Sequence, residues 1–105
     1  MGSKPSKPGL AESWFFGTWL TASEDEPYQY YDELDNERWT IRCVRKYRDG
    51  TLIANSYDDE NWRDTMPEGP IPSLKEINSN AEFIARDISK SDFETIWKKA
   101  VTAGR

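Results

Sequence analysis

The sequence predicts a small α+β domain, built as a four-stranded antiparallel meander with a short helix and a C-terminal amphipathic helix packed on one face. Four segments rich in aromatic and β-branched residues follow one another up to Tyr57, with turn residues between them. Two serine-initiated segments with apolar residues at helical spacing come after them. The chain has 105 residues, which suits one domain. We expect a flexible tail over residues 1–12 and a single α+β domain over residues 13–105.

Turn residues separate the four predicted strands. The first strand is WFFGTWLTA, which begins at Trp14. The second is YQYYDEL, and it is followed by a turn at Asp35 and Asn36, whose side chains can bond their own backbone. The third is RWTIRCVRKY, and Asp49 with Gly50 gives a strong hairpin signal before the fourth, TLIANSY. Connections between consecutive strands predict the meander.

A long loop and two helices are predicted after the strands. Residues 58–72 are acidic and proline-rich, and loops of this length are often functional. Ser73 and Glu76 fit a capping box that begins a short helix. The segment AEFIARDIS can then run extended. A second capping box at Ser91 and Glu94 predicts the C-terminal helix, whose apolar stripe comprises Phe93, Ile96, Trp97, Ala100 and Val101.

The composition excludes several classes of function. There are 14 Lys and Arg against 19 Asp and Glu, a formal net charge of −5, so the field does not attract phosphate backbones or anionic membranes. The chain has no histidine and one cysteine, which excludes an imidazole base and a zinc site of Cys and His ligands. We therefore expect no enzyme, no cofactor and no metal. One cysteine and no long apolar run fit a cytoplasmic protein without a membrane span.

Three candidate sites each have a structural alternative. Cys43 is either a thiolate activated by neighbouring arginines or, as we favour, a small buried core residue. The acidic loop lacks the spacing and the glycine of a calcium-binding loop, which favours a solvated loop. Trp62, within that loop, is either an exposed contact or a lid packed on the sheet, and the lid is favoured because exposed tryptophan is uncommon.

The third strand carries cations interleaved with aromatic residues, as a nucleic-acid-binding sheet does. The cations are Arg38, Arg42, Arg45, Lys46 and Arg48, beside Trp39 and Tyr47. The preceding strand and turn supply carboxylates at Asp32, Glu33, Asp35 and Glu37. Cross-strand ion pairs would use much of the positive charge, and we favour that interpretation.

Two stretches of the chain resemble a family of small bacterial domains. The first is YDELDNERWTIRCVRKYRDGT, which holds an Arg-Trp strand and an Asp-Gly hairpin, and the second is IPSLKEINSNAEFIARDISKSDFETIW, which ends in a Phe-x-x-x-Trp helix. The resemblance covers roughly residues 14–97. The shared motifs are turns, caps and core aromatics, so the resemblance implies no catalytic residues. Some relatives resemble components of toxin–immunity neighbourhoods.

Small size, acidity and the lack of a catalytic constellation predict a protein-interaction domain. We expect an immunity-type inhibitor that binds a basic toxin or nuclease, because an acidic surface can occupy the cationic groove that holds phosphate. The expected contact residues are Glu24, Asp25, Glu26, Asp58, Asp59, Glu60, Trp62 and Asp64. The alternative is a nucleic-acid-binding module that uses the arginine-rich third strand.

Overall fold

The structure, a computed structural model, describes residues 8–104 of the chain. Within these residues the chain forms five strands and three helices. The strands are β1 Ser13–Trp19, β2 Gln29–Leu34, β3 Thr40–Lys46, β4 Leu52–Ser56 and β5 Phe83–Ile88. The helices are α1 Trp62–Thr65, α2 Leu74–Asn78 and α3 Lys90–Gly104. The strands make one antiparallel sheet in the order β4-β3-β2-β1-β5.

The prediction of four strands is wrong, because the segment after α2 supplies a fifth. The first four strands form the predicted meander. Strand β5 returns to the far side of β1 and pairs with it from Trp14 opposite Ile88 to Trp19 opposite Phe83. A hairpin has a turn signal beside it in sequence, whereas this pairing joins segments far apart in the chain and has none.

Local signals place the turns correctly. The carboxylate of Asp35 accepts hydrogen bonds from the backbone N–H groups of Glu37 and Trp39, both at 2.9 Å. Arg38 adopts a φ of 66° within this turn, so the third strand begins two residues later than predicted. Gly50 has a φ of 92° in the Asp-Gly hairpin, a conformation that glycine adopts without steric cost.

Helix α3 covers one face of the sheet, mainly over β3 and β4; we call this the helix face. Phe93 is fully buried, and Val44, Ala54 and Ala100 form a buried cluster against which Ile96 packs. The predicted apolar stripe of the C-terminal helix is therefore the surface that meets the sheet.

One of the two predicted helix caps is correct. The side chain of Ser73 accepts from the N–H of Glu76 at 3.2 Å and so caps α2 as expected. The predicted cap at Ser91 is wrong, because Ser89 accepts from the N–H of Asp92 at 3.0 Å and the helix begins at the next residue. Both serines lie three positions before an acidic residue, so the local sequence does not distinguish them. The position at which β5 ends determines that the earlier serine caps the helix.

The opposite face, which we call the loop face, is crossed by residues 57–82 on their way from β4 to β5. Beneath this segment, Phe15, Leu34 and Ala85 form a buried cluster packed by apolar residues of α2. The side-chain amide of Asn78 donates to the carbonyl of Ala85 and accepts from its N–H, at 2.9 and 2.7 Å. That contact closes the outer edge of β5 at its centre.

The described part of the predicted tail contacts the domain. Residues 1–7 of that tail lie outside the described residues. The N–H of Gly9 donates to the Asp35 carboxylate at 3.0 Å, and the N–H of Glu12 donates to the carbonyl of Leu34 at 2.8 Å. Among the described residues, no helix has the length and apolar character to cross a membrane.

Candidate functional site

The arginines of the third strand are used inside the fold. Arg42 lies on the helix face, where its Nε is 2.7 Å from Glu33 Oε1 and its Nη2 is 2.6 Å from Glu94 Oε2. Its guanidinium also lies 5.1 Å from the ring centroid of Phe93 and 4.9 Å from that of Trp97. Arg42 therefore joins β2 and β3 to α3 through charge and through ring contacts.

Hydrogen bonding fixes the charge of both partners in this cluster. The hydrogen bonds to Glu33 raise the pKa of Arg42 above its ordinary value, although burial opposes the shift. Burial alone would raise the pKa of Glu33, but donors from Arg42 and Trp14 hold that pKa below its ordinary value. The Trp14 Nε1 donates to Glu33 Oε2 at 2.9 Å. Both groups are charged at neutral pH.

Arg45 is paired in the same way on the loop face. Its Nη1 is 2.6 Å from Oδ1 of Asp32, whose side chain is 1% exposed, and Thr40 donates to the other carboxylate oxygen at 2.9 Å. The guanidinium lies 4.6 Å from the ring centroid of Tyr30. Burial acts to lower the pKa of Arg45, but the Asp32 carboxylate outweighs it and the pKa is raised.

Backbone carbonyls hold two further arginines of this region. Arg38 donates to the carbonyls of Ile71 and Pro72 at 2.9 and 2.8 Å and so fixes the segment that crosses the loop face. Arg48 donates to two carbonyls of the loop between β1 and β2. The predicted ion pairing is confirmed for Arg42 and Arg45, and these four guanidinium groups are engaged within the fold.

The topology separates the two predicted acidic loops. Glu24, Asp25 and Glu26 lie between β1 and β2, at the end of the sheet where β2 begins. Strand β4 runs in the same direction as β2, so residues 58–64, which follow β4, lie at the opposite end. Strands of this length span roughly 20 Å. The predicted contact residues therefore form two separate groups.

Carboxylates within the second loop have different roles. Asp59 accepts the N–H of Ser56 at 2.9 Å, and the N–H of Asp58 donates to the Ser56 hydroxyl at 3.0 Å. These contacts hold the turn at the end of β4. Glu60 and Asp64 are exposed. The outward-facing charge of the loop is therefore carried by residues other than Asp59.

Trp62 begins α1 and packs on the sheet, as the lid interpretation predicts. Its ring lies 4.8 Å from that of Tyr57 at an interplanar angle of 41°. It covers a buried cluster of Cys43, Tyr57 and Met66 on the loop face. The ring is only partly buried, so it belongs both to the core and to the surface.

A pocket of about 300 Å³ opens beside this ring; we call it the Trp62 pocket. It is lined by Trp39, Tyr57, Trp62, Arg63, Met66, Pro67 and Glu68. The guanidinium of Arg63 lies 4.4 Å from the centroid of the Trp62 ring. Sequence reasoning missed the pocket because its walls come from the turn before β3, the end of β4 and the crossing segment. The spacing of Trp62 and Met66, four residues apart on a helical turn, is the one local signal for it.

Cys43 is a core residue, as predicted. It is 1% exposed, and burial raises the pKa of its thiol to about 12. A protonated, inaccessible thiol is neither a nucleophile nor a metal ligand. Within residues 8–104, no group of three or more acidic, cysteine or histidine side chains is placed to hold a metal ion.

A family model described as "Domain of unknown function (DUF6881)" matches residues 14–102, and the chain belongs to this family. The match covers almost all of the sheet, the segment between β4 and β5, and almost all of α3. No curated protein and no solved structure matches the chain.

Proposed function

We propose that this member of the family is a protein-interaction domain that binds a basic protein partner. In its most specific form, the proposal is an immunity-type inhibitor of a basic toxin or nuclease. The observation that carries it is the division of charge in the structure. Arg42 and Arg45 are engaged by carboxylates within the fold, whereas Glu60, Asp64 and Glu68 are exposed, and Glu68 lines a tryptophan-lined pocket.

The proposed contact surface is the acidic segment, which we define as residues 58–68. It holds five carboxylates and one arginine, a formal net charge of −4. A negative patch speeds the encounter with a basic partner, because long-range attraction orients the two proteins before contact. Trp62 adds a partly buried aromatic ring of the kind that anchors protein interfaces. This pairing of charge with an aromatic anchor favours the segment over the loop of Glu24, Asp25 and Glu26.

The alternative, nucleic-acid binding through the third strand, is less well supported. A phosphate that approached Arg42 or Arg45 would have to displace Glu33 or Asp32, both of which are buried. Leaving a buried carboxylate without its partner is costly. The two candidates differ in a filter-binding assay at ~50 mM salt, where phosphate contacts are strongest. We expect no retention of DNA or RNA by this protein.

The test of partner binding is a comparison of charge variants. A variant with Glu60→Gln, Asp64→Asn and Glu68→Gln removes three exposed charges and should fold normally, because exposed charges contribute little to stability. Wild type and variant are immobilised and exposed to native lysate of the source cells, and retained proteins are released with a salt step. We expect a basic protein on the wild type and its loss or depletion on the variant.

A matched control removes three exposed carboxylates elsewhere, through Glu24→Gln, Asp25→Asn and Asp87→Asn. It has the same net charge as the test variant and should retain the partner like the wild type. With the purified partner, the association rate should fall steeply as salt is raised. A toxic activity of the partner should be blocked at equimolar inhibitor. Unchanged association kinetics in the acidic-segment variant would contradict the proposal.

A further inference from the structure

We infer that the Trp62 pocket binds one cationic side chain of the partner, a guanidinium or an alkylammonium, and that Arg63 of this chain holds that position before the partner arrives. The inference rests on the proposed function and specifies the chemistry of one inserted side chain. It follows from the shape of the pocket, the charge around it and the contact that Arg63 already makes.

The pocket has a packed aromatic floor. Tyr57 and Met66 are each 5% exposed, and the Tyr57 hydroxyl donates to the carbonyl of Pro67 at 3.4 Å. The Trp62 ring packs against Tyr57 with ring centroids 4.8 Å apart. A volume of about 300 Å³ is at the small end for a ligand pocket, which suits a single long side chain. Because the floor is already packed, little ordering is needed on binding.

The electrostatic environment favours a cation in this pocket. The face of an indole ring carries negative potential, and tryptophan is the best aromatic partner for ammonium and guanidinium groups. Glu68 lines the same pocket, within an acidic segment whose formal net charge is −4. An anionic side chain in the pocket would meet the Glu68 carboxylate and the negative face of the Trp62 ring, and Arg63 is the one cation among the lining residues. A neutral apolar side chain would gain nothing from the charge.

Arg63, the next residue in the chain, already contacts the Trp62 ring. Its side chain is exposed, yet its guanidinium lies 4.4 Å from the Trp62 centroid. An incoming cation must replace Arg63 and approach its like charge. An exposed contact of this kind is weak, so its removal should tighten binding of a competing cation about two- to fivefold.

The inference can be tested without the partner. The probe is Nα-acetyl-arginine amide, and its neutral match is Nα-acetyl-citrulline amide, which has nearly the same shape. Binding is followed through the tryptophan indole N–H signals of the ¹⁵N-labelled protein, with the Trp62 signal assigned from its absence in Trp62→Phe. We expect the arginine probe to shift the Trp62 signal in a saturable way and the citrulline probe to leave it in place.

Two substitutions test the role of Arg63. Arg63→Ala should lower the apparent Kd of the arginine probe about two- to fivefold. The matched control is Arg86→Ala, which removes another exposed arginine from an aromatic ring, that of Phe16 on the helix face. The control should leave the probe affinity unchanged. An unchanged Kd in Arg63→Ala would refute the occupation of the pocket by Arg63.

The outcomes separate this inference from the proposed function. Equal shifts with both probes would show an apolar pocket, and no shift with either would show no side-chain site; each result overturns the inference. Partner capture that depends on Glu60, Asp64 and Glu68 would still support the proposed function in those cases. Capture that ignores these carboxylates overturns the proposed function, whatever the probes do.

Discussion

Replacing Arg42 should reveal how strongly the C-terminal helix is tied to the sheet. Arg42→Met keeps a long side chain over the rings of Phe93 and Trp97 but removes the guanidinium. The two hydrogen bonds to Glu33, at 2.7 and 2.8 Å, and the contact with Glu94 at 2.6 Å are lost together. The Glu33 carboxylate on β2, whose side chain is only 6% exposed, then loses its charged partner.

The cost follows from the burial of Glu33. Removing one partner of a buried ion pair costs about 3–5 kcal/mol, because the other charge is left unpaired. The indole N–H of Trp14 still donates to Glu33, which places the expected loss near the lower end. The Glu94 side chain is 34% exposed, so that pair adds at most about 1 kcal/mol. A total of about 3–4 kcal/mol is a large part of the ~5–15 kcal/mol that stabilises a domain.

Urea unfolding followed by tryptophan fluorescence measures this loss. The free energy of unfolding of a small domain falls by about 1–3 kcal/mol per molar urea, so the urea midpoint should fall by roughly 1–4 M. A double-mutant cycle with Glu33→Gln should show a coupling of about 2 kcal/mol, because the double variant leaves no buried charge. Arg86→Met, at an exposed arginine, is the control and should cost under about 1 kcal/mol. Equal midpoints for Arg42→Met and the control, or an additive cycle, would refute the reasoning.

Three further predictions concern the core and the response to acid. A thiol reagent should modify Cys43 only after denaturant is added, because its thiol is buried and its pKa is raised to about 12; fast labelling of the native protein would contradict this. Glu33 has a lowered pKa in the folded state, so its stabilising contribution is present above the ordinary carboxyl pKa and is lost as pH falls through the folded value. Urea midpoints between pH 3 and 7 should therefore vary less in Glu33→Gln than in the wild type. Phe93 is fully buried, so Phe93→Ala should lower the free energy of unfolding by about 3–5 kcal/mol. Trp97→Ala, at a half-buried ring, should lower it by less. The reverse order of stability in thermal melts would show that the helix packs differently.

Signals that act within a few residues predicted the elements well. The Asp35 turn and the Ser73 cap are correct because each side chain satisfies backbone groups of its immediate neighbours. The segment of the fifth strand was expected to run extended, but its place in the sheet was missed because no residue near Phe83 specifies that its partner is β1. The cap of α3 was misplaced by two residues because Ser89 and Ser91 offer the same local chemistry. Only the end of β5 decides between them.

The Trp62 pocket illustrates a second limit of prediction from sequence. Its residues come from three parts of the chain, which meet because the segment between β4 and β5 crosses the loop face. Its position in the long loop singled out Trp62, and the rarity of exposed tryptophan favoured a lid, yet neither observation could place Trp39 beside it. The cross-strand pairing of Arg42 with Glu33 could be predicted from the sequence, since adjacent strands bring such residues together. Its bond to Glu94 depends on where α3 docks.

The acidic segment shows why a contact surface should not be inferred from charge alone. In sequence, Asp59 and Glu60 are adjacent carboxylates of one loop, and nothing distinguishes them. In the structure, Asp59 binds the N–H of Ser56 and holds the turn that ends β4, whereas the side chain of Glu60 is directed to the surface. Replacing Asp59 would therefore disturb the fold and any interface together, and a loss of binding in that variant would not identify a contact. Substitutions at Glu60, Asp64 and Glu68 separate the two effects, because those carboxylates can change without removing the cap of the turn.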